Sequence, residues 1–488
     1  MIKIEELRTA VANALKQVKK QKDVIDAEVF ASWNDLITIR LNYTSDIPCN
    51  GIHEPKSIQS YGLGILATFK RGNRIETGFG SVTNDLTKEG VLEALAKAKR
   101  NRVYDPGFKT LPESVSKPAL TDYHDKRVMS ISGKDAVGLG WKALDGALKV
   151  LHDGGHKKTI IIGGDVTILR ERMAIKTTKG IDDFDETTSL TANITAMIEN
   201  KNVKGTGWSV DTRLATFKPE AAGREAAESA MRTIGGRKVK SGKHNVVFGN
   251  QPLTDIVSNV LIPSLDLSSV YASNTPFLGK LGQRIASSNL NIYDDGSKEG
   301  EIGSKKITCE GMQTGRTDLI TNGTLTGFLA NNYYAQKFKS NLYCPIPRNG
   351  FRYSTNGRDY KNKTGIYPTN VVIEGSRETT RGRLLKQVNN GVYIGRIWYT
   401  YAINGLAMGD FTSTIIADSF LIKDGKIASP LKPNTIRINT NIKHILNNII
   451  GITKKKRSTL VWGSREVVVA PEIAVSNVRL DNVTGFLG

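Results

Sequence analysis

Cysteine is scarce in this chain. Its 488 residues include three, Cys49, Cys309 and Cys344, far apart and without a CxxC pair. An odd, dispersed set argues against both a disulfide framework and a cysteine zinc site. Long apolar runs are missing as well. No window of about 18 uninterrupted apolar residues occurs, so no membrane-spanning helix is expected. The start, Met1-Ile2-Lys3-Ile4-Glu5-Glu6, is acidic and soon helical in pattern, unlike a secretory signal. The expected location is the cytoplasm.

The motifs of several enzyme classes are absent too. No His-Glu-x-x-His occurs, no Gly-x-Ser-x-Gly, and no glycine-rich turn ending in Gly-Lys-Ser or Gly-Lys-Thr. The nearest approaches to a dinucleotide loop are Gly62-Leu63-Gly64 with Ala67, in a strand pattern, and Gly138-Leu139-Gly140 with Ala143, in a helix pattern. Neither spans the strand-to-helix turn that the mechanism requires. His152 and His156 have the spacing of two ligands on one helical face. Two glycines lie between them, which marks a helix end and a turn. Cys309 lies in a strand-like run with no neighbouring histidine and reads as a buried, inert thiol. Asp294-Asp295-Gly296 reads as turn chemistry, with a catalytic pair as the alternative.

Positive charge is abundant. The net charge is +21, which raises nucleic acid as a partner. The basic residues are scattered, however. The dense runs, Arg237-Lys238-Val239-Lys240 and Lys454-Lys455-Lys456-Arg457, carry none of the interleaved aromatics of a stacking platform. Binding to nucleic acid is therefore expected to be at most non-specific and steeply salt-dependent.

Hydrophobic residues make up 39%, enough for a sizeable core. Ile4, Leu7, Val11, Leu15 and Val18 share one face of a first helix. Strands are expected at 27–30, 36–41 and 62–69. A hairpin tip at Arg71-Gly72-Asn73-Arg74 follows, and then a helix from near Thr87. After a proline-bearing connector the order recurs. A helix carries Val137, Trp141, Leu144, Leu148 and Leu151, strands are expected at 159–162, 167–175 and 188–198, and a polar tip at 199–202 precedes a helix at 219–231. Gly78-Phe79-Gly80-Ser81-Val82 resembles Gly207-Trp208-Ser209-Val210 with one residue of offset. The pattern is that of an internal duplication, with shared hairpin chemistry as the alternative. From Gly242 on, Asn-Gly and Asp-Gly turns at 322, 356, 390, 404 and 424 signal hairpins, with helices at 253–261, 333–339 and 442–450.

The expected fold class is α+β. A duplicated helix, antiparallel-strand and helix N-terminal half is followed by a mostly antiparallel β C-terminal domain. The divisions fall at 1–104 and 131–241 for the two repeats, 105–130 for a connector, and 242–488 for the β-rich domain.

Five blocks in the second half carry a resemblance. They are Phe277-Leu278-Gly279-Lys280-Leu281-Gly282 with Ile292-Tyr293-Asp294-Asp295-Gly296; Glu310-Gly311-Met312-Gln313-Thr314-Gly315-Arg316-Thr317-Asp318-Leu319-Ile320 with its continuation to Leu329; Pro368-Thr369-Asn370; Gly391-Val392-Tyr393 with Met408-Gly409-Asp410-Phe411; and Leu421 through Ile427. In this order they resemble the TldD/PmbA family of zinc metallopeptidases. Its active branch carries His-Glu-x-x-x-His on a helix and a late cysteine, which hold zinc, with the glutamate suited to act as general base. The matching positions here are Ser258, Asn259 and Pro263, and Trp462 and Gly463 fall where the cysteine is expected.

The resemblance therefore implies a PmbA (TldE)-like, non-catalytic subunit of a peptidase acting on unfolded or small peptides. Zinc is expected only in a TldD-like partner, in a heterodimer, with a homodimer as the other possibility. Gly311, Gln313, Thr314, Arg316, Gly409 and Asp410 are the candidates for a peptide groove, held along an exposed strand edge. The alternative reading is a stand-alone peptide-binding or DNA-associated modulator without peptidase activity.

Overall fold

Leu7, Ala10, Val11, Ala14, Leu15 and Val18 bury one side of the first helix, α1 (Ile4–Lys19), with Glu5 and Glu6 in its first turn and Lys16 and Lys19 in its last. That charge order complements the helix dipole. The computed structural model describes residues 1–47, 50–53, 55–72, 74–113, 120–121, 123–340, 342–460 and 467–483. Cys49, Asn73, the 114–119 part of the connector, and Trp462 and Gly463 lie outside the described residues.

Three long strands follow α1: β1 (Val24–Thr44), β2 (Lys56–Arg71) and β3 (Arg74–Thr83), closed by α2 (Lys88–Arg100). The second set is α3 (Gly133–Asp153), β4 (Ile160–Thr177), β5 (Asp182–Ile198), β6 (Val203–Asp211) and α4 (Pro219–Arg232). The two sets share one antiparallel sheet. Its order is β3-β2-β1-β4-β5-β6, with Val103–Tyr104 beside β3 and Gly51–Ile52 beside β1. β1 and β4 pair at the centre, from Glu28 opposite Thr177 to Thr44 opposite Ile161. The repeats are thus two halves of one layer, related across the β1–β4 pair.

The strands run longer than the alternation in the sequence indicated. The expected segments at 27–30 and 36–41 are one strand, and so are those at 159–162 and 167–175. Ser32, Asn34 and Asp35, which interrupt the apolar pattern of β1, are all buried. Strand polarity looked like a break because both faces of this sheet are covered.

Gly78 and Gly80 of β3 face α2, and Gly205 and Gly207 of β6 face α4. A Cβ on any of the four would collide with helix backbone, at Ala98 and Ala94 in one half and at Ala226 and Ala222 in the other. The repeat equivalence is therefore Gly78 with Gly205 and Gly80 with Gly207. It replaces the word match that set Gly78 to Val82 beside Gly207 to Val210.

Among the described residues the second half holds two more large sheets and two short two-stranded ones. β7 (Gly242–Phe248) leads to α5 (Asn250–Ile256). Then come β8 (Leu290–Asp295), β9 (Arg316–Thr321), α6 (Asn332–Phe338), β10 (Asn370–Gly375), α7 (Arg381–Val388), β11 (Gly391–Ile394), β12 (Arg396–Ala402), β13 (Asp410–Ala417), β14 (Phe420–Lys423), β15 (Lys426–Pro430), β16 (Ile436–Asn441), α8 (Ile442–Asn447), β17 (Val467–Ala470) and β18 (Ile473–Asn482). One sheet runs β9-β8-β10-β17, with short strands at each end, and the other runs β12-β13-β16-β18-β7-β11-β14-β15. Pairing is antiparallel except at β10–β17 and β7–β11.

Asn322-Gly323 and Asp424-Gly425 take φ values of 48° and 79°, and of 50° and 70°, the paired positive angles of a type I′ hairpin. Asn390-Gly391 does not make a hairpin. It follows α7, a helix that the sequence reading missed because its eight residues bury only Leu384, Leu385 and Val388.

The face of the first sheet away from its helices packs on the second half through a small apolar cluster and a charged one. Phe30, Met173 and Ile175 meet Ile307, Cys309, Phe351 and Tyr360. Beside them Arg352 pairs with Glu28, and Arg358 donates to Asp185 at 2.6 Å and to Thr187 Oγ1 at 3.0 Å.

Candidate functional site

A large cavity lies where the first sheet meets α5 and β12. Its volume is about 480 Å³. The outer face of β5 and β6 contributes Asn193, Thr195, Thr206 and Trp208; α5 and the turn after it contribute Gln251, Asp255 and Asn259; and β12 contributes Arg396 through Thr400.

The helix that carries the family-motif positions changes pitch here. After α5 the chain winds as a π-turn over Val257–Leu261, with the Ile262 N–H bonded back to the Val257 carbonyl. A 3₁₀ turn over Ile262–Leu265 follows, with Pro263 in its first positions. A π-turn brings residues i and i+5 onto one side, and such turns recur at functional sites. A His-Glu-x-x-x-His pattern has this five-residue spacing between its histidines. Of the three matching positions, Asn259 lines the cavity, and Ser258 and Pro263 do not. The Ser258 hydroxyl is buried without a hydrogen-bond partner among the described residues.

Asp255 is the residue that the sequence reading missed. Its side chain lies one turn before Asn259. Asn259 Nδ2 donates to its Oδ1 at 2.8 Å, and Gln251 Nε2 donates to its Oδ2 at 3.2 Å. Burial pushes the Asp255 carboxyl up to about 6, against the pull of Thr400, Asn259 and Gln251. The visible signal was an acid on the same helix as Leu253, Ile256, Val257 and Val260, inside an otherwise buried run.

β12 is an edge strand, bonded within its sheet to β13 alone. Gln251 occupies part of that edge. Its amide accepts from the Ile397 N–H at 3.0 Å and donates to the Ile397 carbonyl at 3.3 Å, as the peptide group of a neighbouring strand would. Beyond Ile397 the register slips, and Tyr399 takes a φ of 58°, an uncommon angle for an aromatic residue. Trp398 stacks on Tyr399 with ring centroids 5.7 Å apart, and Trp398, Tyr399 and Tyr401 are all exposed.

The donor set does not suit zinc. Among the described residues no histidine or cysteine lines the cavity. No three His, Cys, Asp or Glu side chains come together anywhere in them as a possible metal site. Amides and the carboxylates of Asp165 and Asp255 do not supply the nitrogen and sulfur ligands of a zinc centre. His152 lies in the last turn of α3, and Gly155 beyond it takes a φ of 82°, so the glycines end the helix.

The six groove candidates are dispersed, and none lines the large cavity. Gly311 takes a φ of 74°, and a Cβ there would strike Ile181 of the first half. Gln313 bridges to Ile307. Thr314 is buried and donates its hydroxyl to the Lys305 carbonyl. Arg316 pairs with Asp318 and lies 3.6 Å over the Tyr293 ring. Gly409 takes a φ of 78°, and Asp410 accepts from Asn441 Nδ2 at 2.8 Å. The edge expected at 408–411 is closed. Asp410 pairs with Asn441, and Phe411 pairs with Thr440 on one side and Ala402 on the other. The open edge belongs to β12, one strand over.

Asp294, read as turn chemistry or half of a catalytic pair, is fully buried. It accepts from the Thr369 N–H and Asn349 Nδ2, both at 2.7 Å. Asn370 Nδ2 donates to the Asp295 carbonyl at 2.8 Å. These blocks are stitched to one another. A smaller cavity of about 250 Å³ between the halves is lined by Glu28, Glu310 and Arg352 among others. Cys309 is buried, and burial pushes its thiol up to about 12.

Comparison with known proteins places this layered α+β body. Residues 241–482 match the family described as the PmbA/TldA metallopeptidase C-terminal domain. An uncharacterized protein of Methanocaldococcus jannaschii is 27% identical over 374 residues, covering 76% of this chain and 80% of that protein. The metalloprotease PmbA of Escherichia coli O157:H7 is 25% identical over 266 residues, covering 53% of this chain and 51% of its own. The chain thus matches about half the length of PmbA. The crystal structure of TldE from Thermococcus kodakarensis superposes with a TM-score of 0.78 at 18% identity, covering 98% of this chain and all of that one. Over residues 241–482, just under half of it, the chain thus carries the C-terminal domain of this family.

Proposed function

We propose that this chain is a non-catalytic, TldE-like subunit that works with a zinc-bearing, TldD-like partner in cleaving unfolded or small peptides in the cytoplasm. The observation that carries this reading is the π-turned helix. The segment where the family places its metal motif keeps a five-residue turn facing a large cavity, yet presents Asn259 and Asp255 there instead of imidazoles. An open strand edge, β12, runs along the same cavity, and an extended peptide can add to such an edge by main-chain hydrogen bonds. The similarity in fold to TldE agrees with a subunit role.

Hydrolysis of a peptide bond at neutral pH needs an activated water, which zinc supplies by lowering its pKa to about 7. This chain is therefore inert alone and contributes surface to its partner. The test mixes the purified chain with a TldD-like subunit and follows cleavage of an unstructured peptide. Activity should appear, or rise at least tenfold, only in the mixture. A partner that is fully active alone, and is neither bound nor altered by this chain, overturns the reading.

The DNA-associated alternative gains little from the basic runs. In 454–457, Lys456 pairs with Glu378 at 2.7 Å and Arg457 with Glu225 at 2.8 Å.

A further inference from the structure

Around the large cavity one acid lacks a direct cationic partner. Asp165 is paired with Arg40 at 2.9 Å, and Arg396 with Glu225 at 2.9 Å. Asp255 has no Lys, Arg or His partner among the described residues. Its two oxygens are held by the neutral amides of Gln251 and Asn259. Glu225 also faces Arg457 at 2.8 Å, so cations are not short nearby, yet none pairs with Asp255, which is 8% exposed. A buried carboxylate without a counter-ion is costly unless something supplies one.

The wall opposite in kind is aromatic. Trp398 lines the cavity and is 46% exposed, and Tyr399 beside it is 71% exposed. Tyr399 is held at a left-handed angle that a bulky side chain adopts only when its surroundings enforce it. Carboxylate and aromatic face together are what recognises an organic ammonium, by charge on one side and ring quadrupole on the other. A divalent metal ion would need several more oxygen ligands than Asp255 offers.

We infer that this cavity binds the primary ammonium group of a peptide, with Asp255 as its counter-ion and Trp398 and Tyr399 as its aromatic wall. The inference rests on the peptide-handling role proposed above and names what that site selects. The ammonium has two sources in a peptide, the free N-terminus and the lysine side chain. Either would replace the missing counter-ion, and the raised carboxyl of Asp255 would return toward the ordinary range as the pair forms.

The test uses the full chain at pH 7.5 and three probes: Ala-Ala-Ala amide with a free N-terminus, its N-acetylated form, and N-acetyl-Ala-Lys-Ala amide. Binding is followed by tryptophan fluorescence and calorimetry. At least one ammonium-bearing peptide should bind tenfold or more tightly than the neutral one, and which of the two does so identifies the source. Asp255→Asn should remove the preference. Trp398→Ala, at an exposed position that tolerates truncation, should weaken ammonium binding severalfold while leaving the neutral peptide unchanged.

Equal affinities for all three peptides, no binding by any, or a preference that survives both substitutions overturns the inference. The same preparations are tested for capture of the TldD-like subunit. Capture without ammonium preference sinks only this inference, and preference without capture sinks only the subunit reading.

Discussion

Glu310 is a carboxyl buried between the halves. It accepts from the Asn332 N–H at 2.9 Å and the Thr364 hydroxyl at 3.1 Å. Even so, burial pushes it up to about 7, with the nearby Glu28 charge adding to the rise. The folded protein therefore holds this proton more tightly than the unfolded chain, where the group titrates near 4.5. The stability that this group contributes is complete below pH 4.5 and is lost as pH rises to about 7. The gap amounts to about 3 kcal/mol. Glu310→Gln, which cannot ionise, should remove that loss. Urea unfolding of both proteins should give a stability difference that grows in favour of the variant from pH 4.5 to 7 and is flat above. A difference independent of pH would show that Glu310 is already ionised at low pH in the folded state.

At the scale of elements, the four glycines of β3 and β6 set how closely α2 and α4 lie on the sheet. At Gly207 an added Cβ collides with the Ala222 carbonyl oxygen, which is backbone and cannot step aside. Gly207→Ala should therefore push α4 off the sheet and cost about 1–3 kcal/mol. Gly138→Ala in α3 meets nothing within 4 Å and should be neutral or stabilising by about 0.5–1 kcal/mol. Thermal unfolding of the pair checks both signs.

These glycines also mark what a reader of the sequence could see. The duplicated order of helix, strands and helix was legible from apolar periodicity and polar hairpin tips, and so were α1, α2, α3 and α4. The lengths of β1 and β4 were not, because Asn34 and Glu171 look like surface residues until Arg358 of the second half is placed against them, and Asp35 until Arg170 is. The motif helix was legible, but its π-turn was not, since no one-dimensional period distinguishes it. β12 was hidden for a related reason. Its aromatic run looks like a core strand, and only the sheet order makes it an edge. The cavity follows from those two placements, so Asp255 could not be singled out beforehand.

At the scale of the whole molecule, the two halves are joined through buried charge as well as through an apolar cluster. Arg358 is fully buried, and its guanidinium faces Asp185 and Thr187 of β5. Its own N–H donates to Glu171 of β4 at 2.8 Å, and its carbonyl accepts from Asn34 of β1 at 2.6 Å. Tyr123, from the connector, also donates to Asp185. One residue of the second half thus holds three strands of the first. Burial acts to raise the Glu171 carboxyl, but the charges of Arg358 and Lys305 outweigh it and hold it below the ordinary range. Its contribution to stability is then present above that range and lost as pH falls through its lowered value, opposite in sign to Glu310.

Arg358→Met keeps the volume and removes the charge. It leaves Asp185 and Glu171 buried without their main counter-ion, a loss of about 3–5 kcal/mol for a broken buried pair. Adding Asp185→Asn should recover part of that loss, because the stranded charge, rather than the missing attraction, carries most of it. Because the hydrogen bonds of Arg358 to the first half go to its strands, the helices there should keep their signals while the junction opens. Limited proteolysis should then cut the chain between the halves, in the segment 233–241. If Arg358→Met unfolds at the same denaturant concentration as the parent and resists the protease equally, the apolar cluster around Phe30, Ile307 and Phe351 is sufficient to hold the halves together, and the charged network is dispensable.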